Sequence, residues 1–142
     1  TVVTSLIWQE NMIPLIRMME PNRWKVMQML VIDGENDESS AGLGITSAQF
    51  REFAERHRSI CLGPGVYPVF ETADDMEGSY FMITLDGHLK SDVGRKVTLY
   101  DLDDVLRQGI DTLVDSDKYL DRGGLYNWKS LCEDLNKEVR YA

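Results

Sequence analysis

Two cysteines, two histidines and no long apolar run set the first limits on this chain of 142 residues. A bilayer crossing takes about 20 consecutive apolar residues. No stretch approaches that, and the opening residues of this sequence read as neither a secretory leader nor an amphipathic basic segment. Cys61 and Cys132 lie far apart with no other disulfide signature, which points to a reducing compartment and free, buried thiols. Zinc-type spacings, a Ser-His-Asp set, a defensible pair of catalytic carboxylates, internal repeats and low-complexity segments are all missing. Positive charge is scarce as well. The 15 Lys plus Arg face 24 Asp plus Glu, a net charge of −9, which argues against general binding to nucleic acid. One phosphate site remains compatible with that balance, because charges are screened beyond about 8 Å and a local cluster of cations acts on its own. The length suits one domain with a real core.

What is present is organised around the stretch from Pro21 to Asn36. Trp24 to Ile32 is almost wholly apolar or β-favouring and ends in a Gly/Asn/Asp cluster, which predicts a strand buried on both faces. Alternation places Arg23, Lys25, Met27, Met29 and Val31 on one face, and Trp24, Val26, Gln28, Leu30 and Ile32 on the other. Two cations entering a core require internal carboxylates or an anionic ligand such as a phosphate chain, unless the first turn of the strand stays in solvent. Upstream, Thr1 to Ile7 reads as a strand. Glu10 to Met19 reads as an amphipathic helix with Pro14 in its first turn, so the whole predicts a βαβ unit with parallel strands. The acidic stretch Asp33 to Ser40 follows the second strand. Loops in that position gather ligands in parallel α/β folds, which makes Glu35 and Asn36 candidates for positioning one; a hydrated turn is the competing reading.

Thr46-Ser47-Ala48-Gln49 has capping-box form ahead of a helix with Phe50, Phe53, Ala54 and His57 on one face. His57 falls at the helix end, where a cation would favour the dipole rather than do chemistry, and Cys61 is expected to pack. Gly63 to about Asp75 is rich in breakers and divides the chain into 1–62 and 63–142. Beyond it come a strand over Gly78 to Ile83, an Asp86-Gly87 hairpin turn leading to His88-Leu89-Lys90, and the basic turn Gly94-Arg95-Lys96. Asp101 then caps a core helix with Leu102, Val105, Leu106, Ile110 and Leu113 on its apolar side. In Arg122-Gly123-Gly124, adjacent glycines allow backbone N–H groups to converge on an anion.

Pro-x-Arg-Trp-Lys-Val-x-Gln, then Leu-Val-Ile-Asp-Gly-Glu-Asn, resembles a strand and turn of the viperin family of radical S-adenosylmethionine enzymes. In order along the chain, Phe-x-x-Phe-x-x-Arg-His, Ser-Ile-Cys-Leu, the strand with Tyr80, Gly-Arg-Lys and Arg-Gly-Gly-x-Tyr-x-Trp are similar to the same family. The resemblance implies an α/β fold: the C-terminal portion of a partial (βα)6 radical-SAM barrel over 1–62, and a small α+β C-terminal extension over 63–142. It implies triphosphate contacts from Arg23, Lys25, Arg95, Lys96, Arg122, Gly123 and Gly124, positioning by Glu35 and Asn36, and a catalytic Tyr80 supplying a hydrogen atom or proton. Asp33 stands where the family generally has Glu. Leu125 replaces a lysine of the Arg-Gly-Gly loop, so one phosphate contact is lost there.

The complete enzyme so implied is a lyase of antiviral defence that dehydrates CTP or UTP to the 3′-deoxy-3′,4′-didehydro nucleotide. It would use S-adenosylmethionine and a [4Fe-4S] cluster. The Cys-x-x-x-Cys-x-x-Cys cluster loop does not occur in these residues, so the cluster ligands would lie in an N-terminal radical-SAM half upstream of Thr1. This chain would be the substrate half, holding no metal and inactive alone. The expected location is cytoplasmic, with any membrane-anchoring helix also upstream. Two other readings stay open: a non-catalytic α/β protein-interaction module with an acidic surface, and the same scaffold with a different nucleotide or sugar phosphate.

Overall fold

The computed structural model describes residues 1–80 and 82–121. Its first half is a βαβαβ arrangement. Strand β1 (Val2–Val3) pairs in parallel with β2 (Lys25–Gln28), and β2 pairs in parallel with β3 (Val69–Glu71), in the order β1-β2-β3. Helix α1 (Ile13–Met19) lies between the first two strands, as the βαβ reading requires. Pro14 is tolerated at its start, where the missing N–H has no partner to lose. The helix is shorter than expected, with Glu10, Asn11 and Met12 outside it. β1 also stops early: Thr4 carbonyl oxygen accepts from the N–H of Ile7 and Trp8, which turns the chain out of the strand.

Helix α2 (Ser47–His57) starts where its capping box predicts. Thr46 Oγ1 accepts from Gln49 N–H, and Gln49 Oε1 accepts from Thr46 N–H. Phe50 and Phe53 from α2 and Ile16 from α1 pack with Val3, Trp24, Val26 and Ile60 into one buried cluster. Both helices therefore cover the same face of the sheet. That corrects the expectation of a strand buried on both sides. Trp24, Val26, Gln28 and Ile32 are buried, while Arg23, Lys25, Met27, Met29 and Val31 are only partly covered. The ladder also ends before Ile32, because Asn36 captures the backbone there: its Oδ1 accepts from Ile32 N–H and its Nδ2 donates to Leu30 O.

The breaker-rich stretch holds more order than its composition suggests. It contains β3 and, behind a second capping box between Thr72 and Asp75, the single-turn helix α3 (Ala73–Met76). The second half is an antiparallel sheet of β4 (Met82–Ile83), β5 (His88–Ser91) and β6 (Thr98–Asp101). Gly87, at φ 85, closes the β4–β5 hairpin as the Asp-Gly pair predicts. Asp101 accepts from Asp103 N–H and starts α4 (Leu102–Gln108). That helix is less of a core element than expected. Of its predicted apolar stripe only Val105 is buried; Leu106 and Ile110 are exposed, and Gly109 ends the helix at φ 91. A last helix, α5, covers Ser116–Asp121. The two sheets meet where Asp33, beyond β2, forms a parallel bridge with Lys96.

Candidate functional site

The half-covered face of β2 carries the chemistry. Lys25 points from it toward β3, where Glu71 lies wholly buried, and Lys25 Nζ sits 2.8 Å from Glu71 Oε1. The register explains the meeting, since Met27 is opposite Glu71 and Lys25 opposite Val69 on the same face. Tyr80 comes in from the segment after α3. Its hydroxyl lies 3.5 Å from Glu71 Oε2 and 4.0 Å from the Met27 sulfur, and Lys25 Nζ stands 5.9 Å from its ring centroid. Of the two ways of accommodating a cation here, an internal carboxylate is the one realised at Lys25. Arg23 shares the face and is partly covered.

The loop after β2 is tied down by its own residues. Both polar ends of the Asn36 side chain bind backbone of the same turn. Glu35 forms an ion pair with Lys90 of β5, 2.5 Å from Nζ to Oε1, which staples the loop to the antiparallel sheet. Lys96 lies beside this loop through its backbone bridge to Asp33; its side chain is exposed and has no ion pair among the described residues. Arg95 points elsewhere. Its Nε is 3.2 Å from Glu77 Oε2, its other end pairs with Asp74, and Gly94 N–H donates to Glu77 Oε1. Gly94 and Arg95 are both left-handed, at φ 73 and 57, a conformation that L residues adopt at a cost. The two carboxylates hold Arg95 in it.

The structure thus brings Lys25 and Tyr80 into one cluster, and it places Glu35 and Lys96 at the junction of the sheets. It commits the Arg95 guanidinium to α3 and its flank. Arg122, Gly123 and Gly124 lie outside the described residues. A cleft of about 620 Å³ beside Gly78, lined by Glu77, Asp111, Asp115, Asp117 and Lys118 among others, carries mostly negative charge and is ill suited to a triphosphate.

Glu71 and Lys90 escape sequence reasoning. Glu71 sits in a three-residue strand inside a loop-like stretch, and the signal that pointed to it was indirect: a cation on a core strand that needed a carboxylate. Two other expectations are corrected. His57 is not a cation serving a helix dipole. It is fully buried, its Nε2 accepts from Met12 N–H at 2.9 Å, and Nδ1 therefore carries the proton and donates to Phe53 O at 2.7 Å. Burial lowers its pKa, the Phe53 carbonyl opposes that, and Arg56 adds to it. Cys61 is exposed rather than packed, its thiol turned back onto Gly63 O, because Gly63 and Val66 close a tight loop at the surface.

No family model matches the chain. Curated proteins do. The chain is 31% identical to an S-adenosylmethionine-dependent nucleotide dehydratase of Lacinutrix mariniflava, over 97% of its length and 29% of that protein's. A protein of the same name from Thermoplasmatales archaeon (strain ISO4-H5) is 32% identical over 85% of the chain and 42% of its own length. In Siniperca chuatsi, S-adenosylmethionine-dependent nucleotide dehydratase RSAD2 is 33% identical over 90% of the chain and 37% of its own length. The chain thus spans less than half the length of these curated relatives. Matched over nearly all of its residues by proteins from bacteria, archaea and fish, the chain belongs to the viperin family.

Proposed function

We propose that the chain is the substrate-binding half of a viperin-like radical S-adenosylmethionine enzyme that dehydrates CTP or UTP to the 3′-deoxy-3′,4′-didehydro nucleotide, in antiviral defence. The observation that carries this reading is the Lys25–Glu71–Tyr80 cluster, a cation beside a hydroxyl on the open face of a parallel sheet, in a chain whose relatives are named nucleotide dehydratases. The unbroken parallel order β1-β2-β3, with both helices on the Trp24 face, supports placing these strands at the end of a partial (βα)6 barrel with Lys25 facing inward. The extension from residue 63 onward then adds β3 at the sheet edge and brings Tyr80 up to it.

In this reading Lys25, Lys96 and Arg23 meet the triphosphate as cations, and Arg95 contributes through the left-handed turn that presents Lys96. Arg122, Gly123 and Gly124 close over the terminal phosphate, and Glu35 and Asn36 shape the loop beside it. Tyr80 donates to the substrate from its hydroxyl. Among the described residues no group of His, Cys, Asp and Glu is arranged to hold a metal ion, and Cys61 stands alone. These residues do not fit an iron-sulfur cluster, whose ligands in this reading come from outside the chain.

The test is nucleotide binding by the full-length parent protein, reconstituted with iron and sulfide, with S-adenosylmethionine present and CTP, UTP and ATP compared. One pyrimidine triphosphate is expected to bind and to yield 5′-deoxyadenosine on reduction. If none binds and no 5′-deoxyadenosine forms, the cations are structural and the acidic interaction module becomes the better reading.

A further inference from the structure

A buried carboxylate is an unexpected group in a site for an anion. Glu71 has no exposure; its Oε1 lies 2.8 Å from Lys25 Nζ and its Oε2 3.5 Å from the Tyr80 hydroxyl. Stability alone does not account for it. A buried ion pair is often no better than well-packed apolar residues of the same volume, and the opposite, Trp24 face of the sheet is filled that way. Nor does affinity account for it, since a carboxylate next to Lys25 repels incoming phosphate.

We propose that Glu71 is a positioning residue, holding the Lys25 ammonium and the Tyr80 hydroxyl at a set separation; the inference rests on the nucleotide-dehydratase reading above. A lysine head is a mobile point charge on a four-carbon stem, without the directional fork of arginine. Held by a carboxylate fixed in β3, the ammonium still has N–H donors to offer, and its side chain is 23% exposed. The same carboxylate orients the hydroxyl of Tyr80. Because Glu71 sits opposite Met27 in the parallel register, the spacing between the phosphate-binding cation and the hydrogen donor is a property of the β2–β3 pair. A substrate held by Lys25 is thereby aligned with Tyr80. Lys25, already neutralised, binds phosphate less tightly than a free lysine would. Geometry of this kind raises turnover rather than ground-state affinity.

Glu71→Gln in the full-length, reconstituted protein separates these effects. The amide preserves size and an oxygen acceptor while removing the charge, and the Lys25 head can turn to solvent, so the fold should tolerate it. Three quantities are read: CTP and UTP affinity by titration calorimetry, melting temperature without ligand, and turnover. The expected result is a triphosphate Kd equal to or several-fold tighter than the parent's, with turnover at least about tenfold lower and the melting temperature within about 5 °C. Glu71→Asp, which keeps the charge but withdraws it by one methylene, should give turnover between the two, and it carries the test if the Gln variant does not fold. Turnover within twofold of the parent in both variants overturns the proposal. So does a joint loss of affinity and melting temperature, which is the signature of a merely structural carboxylate. A parent that binds no triphosphate overturns the functional reading itself, and this inference with it.

Discussion

His57 shows how a single side chain changes meaning once its surroundings are known. At the end of α2 a charged imidazole would be favourable, but this one is enclosed between Phe53 and Trp24, with ring centroids 4.1 and 5.5 Å away. Its acceptor nitrogen is taken by Met12 N–H, so protonation would break a bond that ties the start of α1 to α2. The pKa is lowered from 6.5 in the folded state, chiefly by burial. Below 6.5 the unfolded chain gains a proton that the folded imidazole does not. Stability is then full above that value and declines as the pH falls toward the folded pKa. We expect the urea midpoint to drop as the pH is taken from about 7.5 to about 5.5. His57→Gln should lose most of that slope. An unchanged slope in the variant would assign it to other groups.

Helix α2 and strand β3 mark the two ends of what local pattern reveals. The start of α2 was legible because every group in its capping box lies within four residues, Thr46 to Gln49. Thr46→Ala should lower stability by about 1 kcal/mol, seen as a shift in denaturant midpoint at constant m-value; a shift under about 0.3 kcal/mol would mean that the box contributes little. The hairpin at Asp86-Gly87 and the cap at Asp101 were legible for the same reason. β3 was not. Val69-Phe70-Glu71 is three residues long and lies among glycines and prolines, and it is a strand only because β2 runs beside it. The stripe of α4 misled in the opposite sense: the apolar residues are in the sequence, but Leu106 and Ile110 stay exposed among the described residues.

Over the whole molecule, a net charge of −9 coexists with cations that are unequally committed. Lys25, Lys90 and Arg95 each have carboxylate partners, whereas Lys96 has no ion pair among the described residues and is exposed. Among the described candidate phosphate-binding cations, Lys96 is therefore more available to an anionic ligand than Lys25 or Arg95. In the full-length protein, Lys96→Ala should weaken triphosphate binding about tenfold or more, the loss of one charge-assisted contact, with the melting temperature moved by no more than about 2 °C. A large fall in melting temperature with unchanged affinity would remove Lys96 from the site.

The α/β class, the parallel βαβ start, the caps of α2 and α4, the hairpin turn and the viperin resemblance were all determined by sequence. They depend on residue order and on bonds between near neighbours. Only the tertiary structure decided that one face of β2 is half-covered by the described residues, that His57 is neutral, and that Lys25, Glu71 and Tyr80 form one cluster. Those outcomes depend on pairing between β2 and β3, remote in the chain, and on where two helices happen to pack, which no local period encodes.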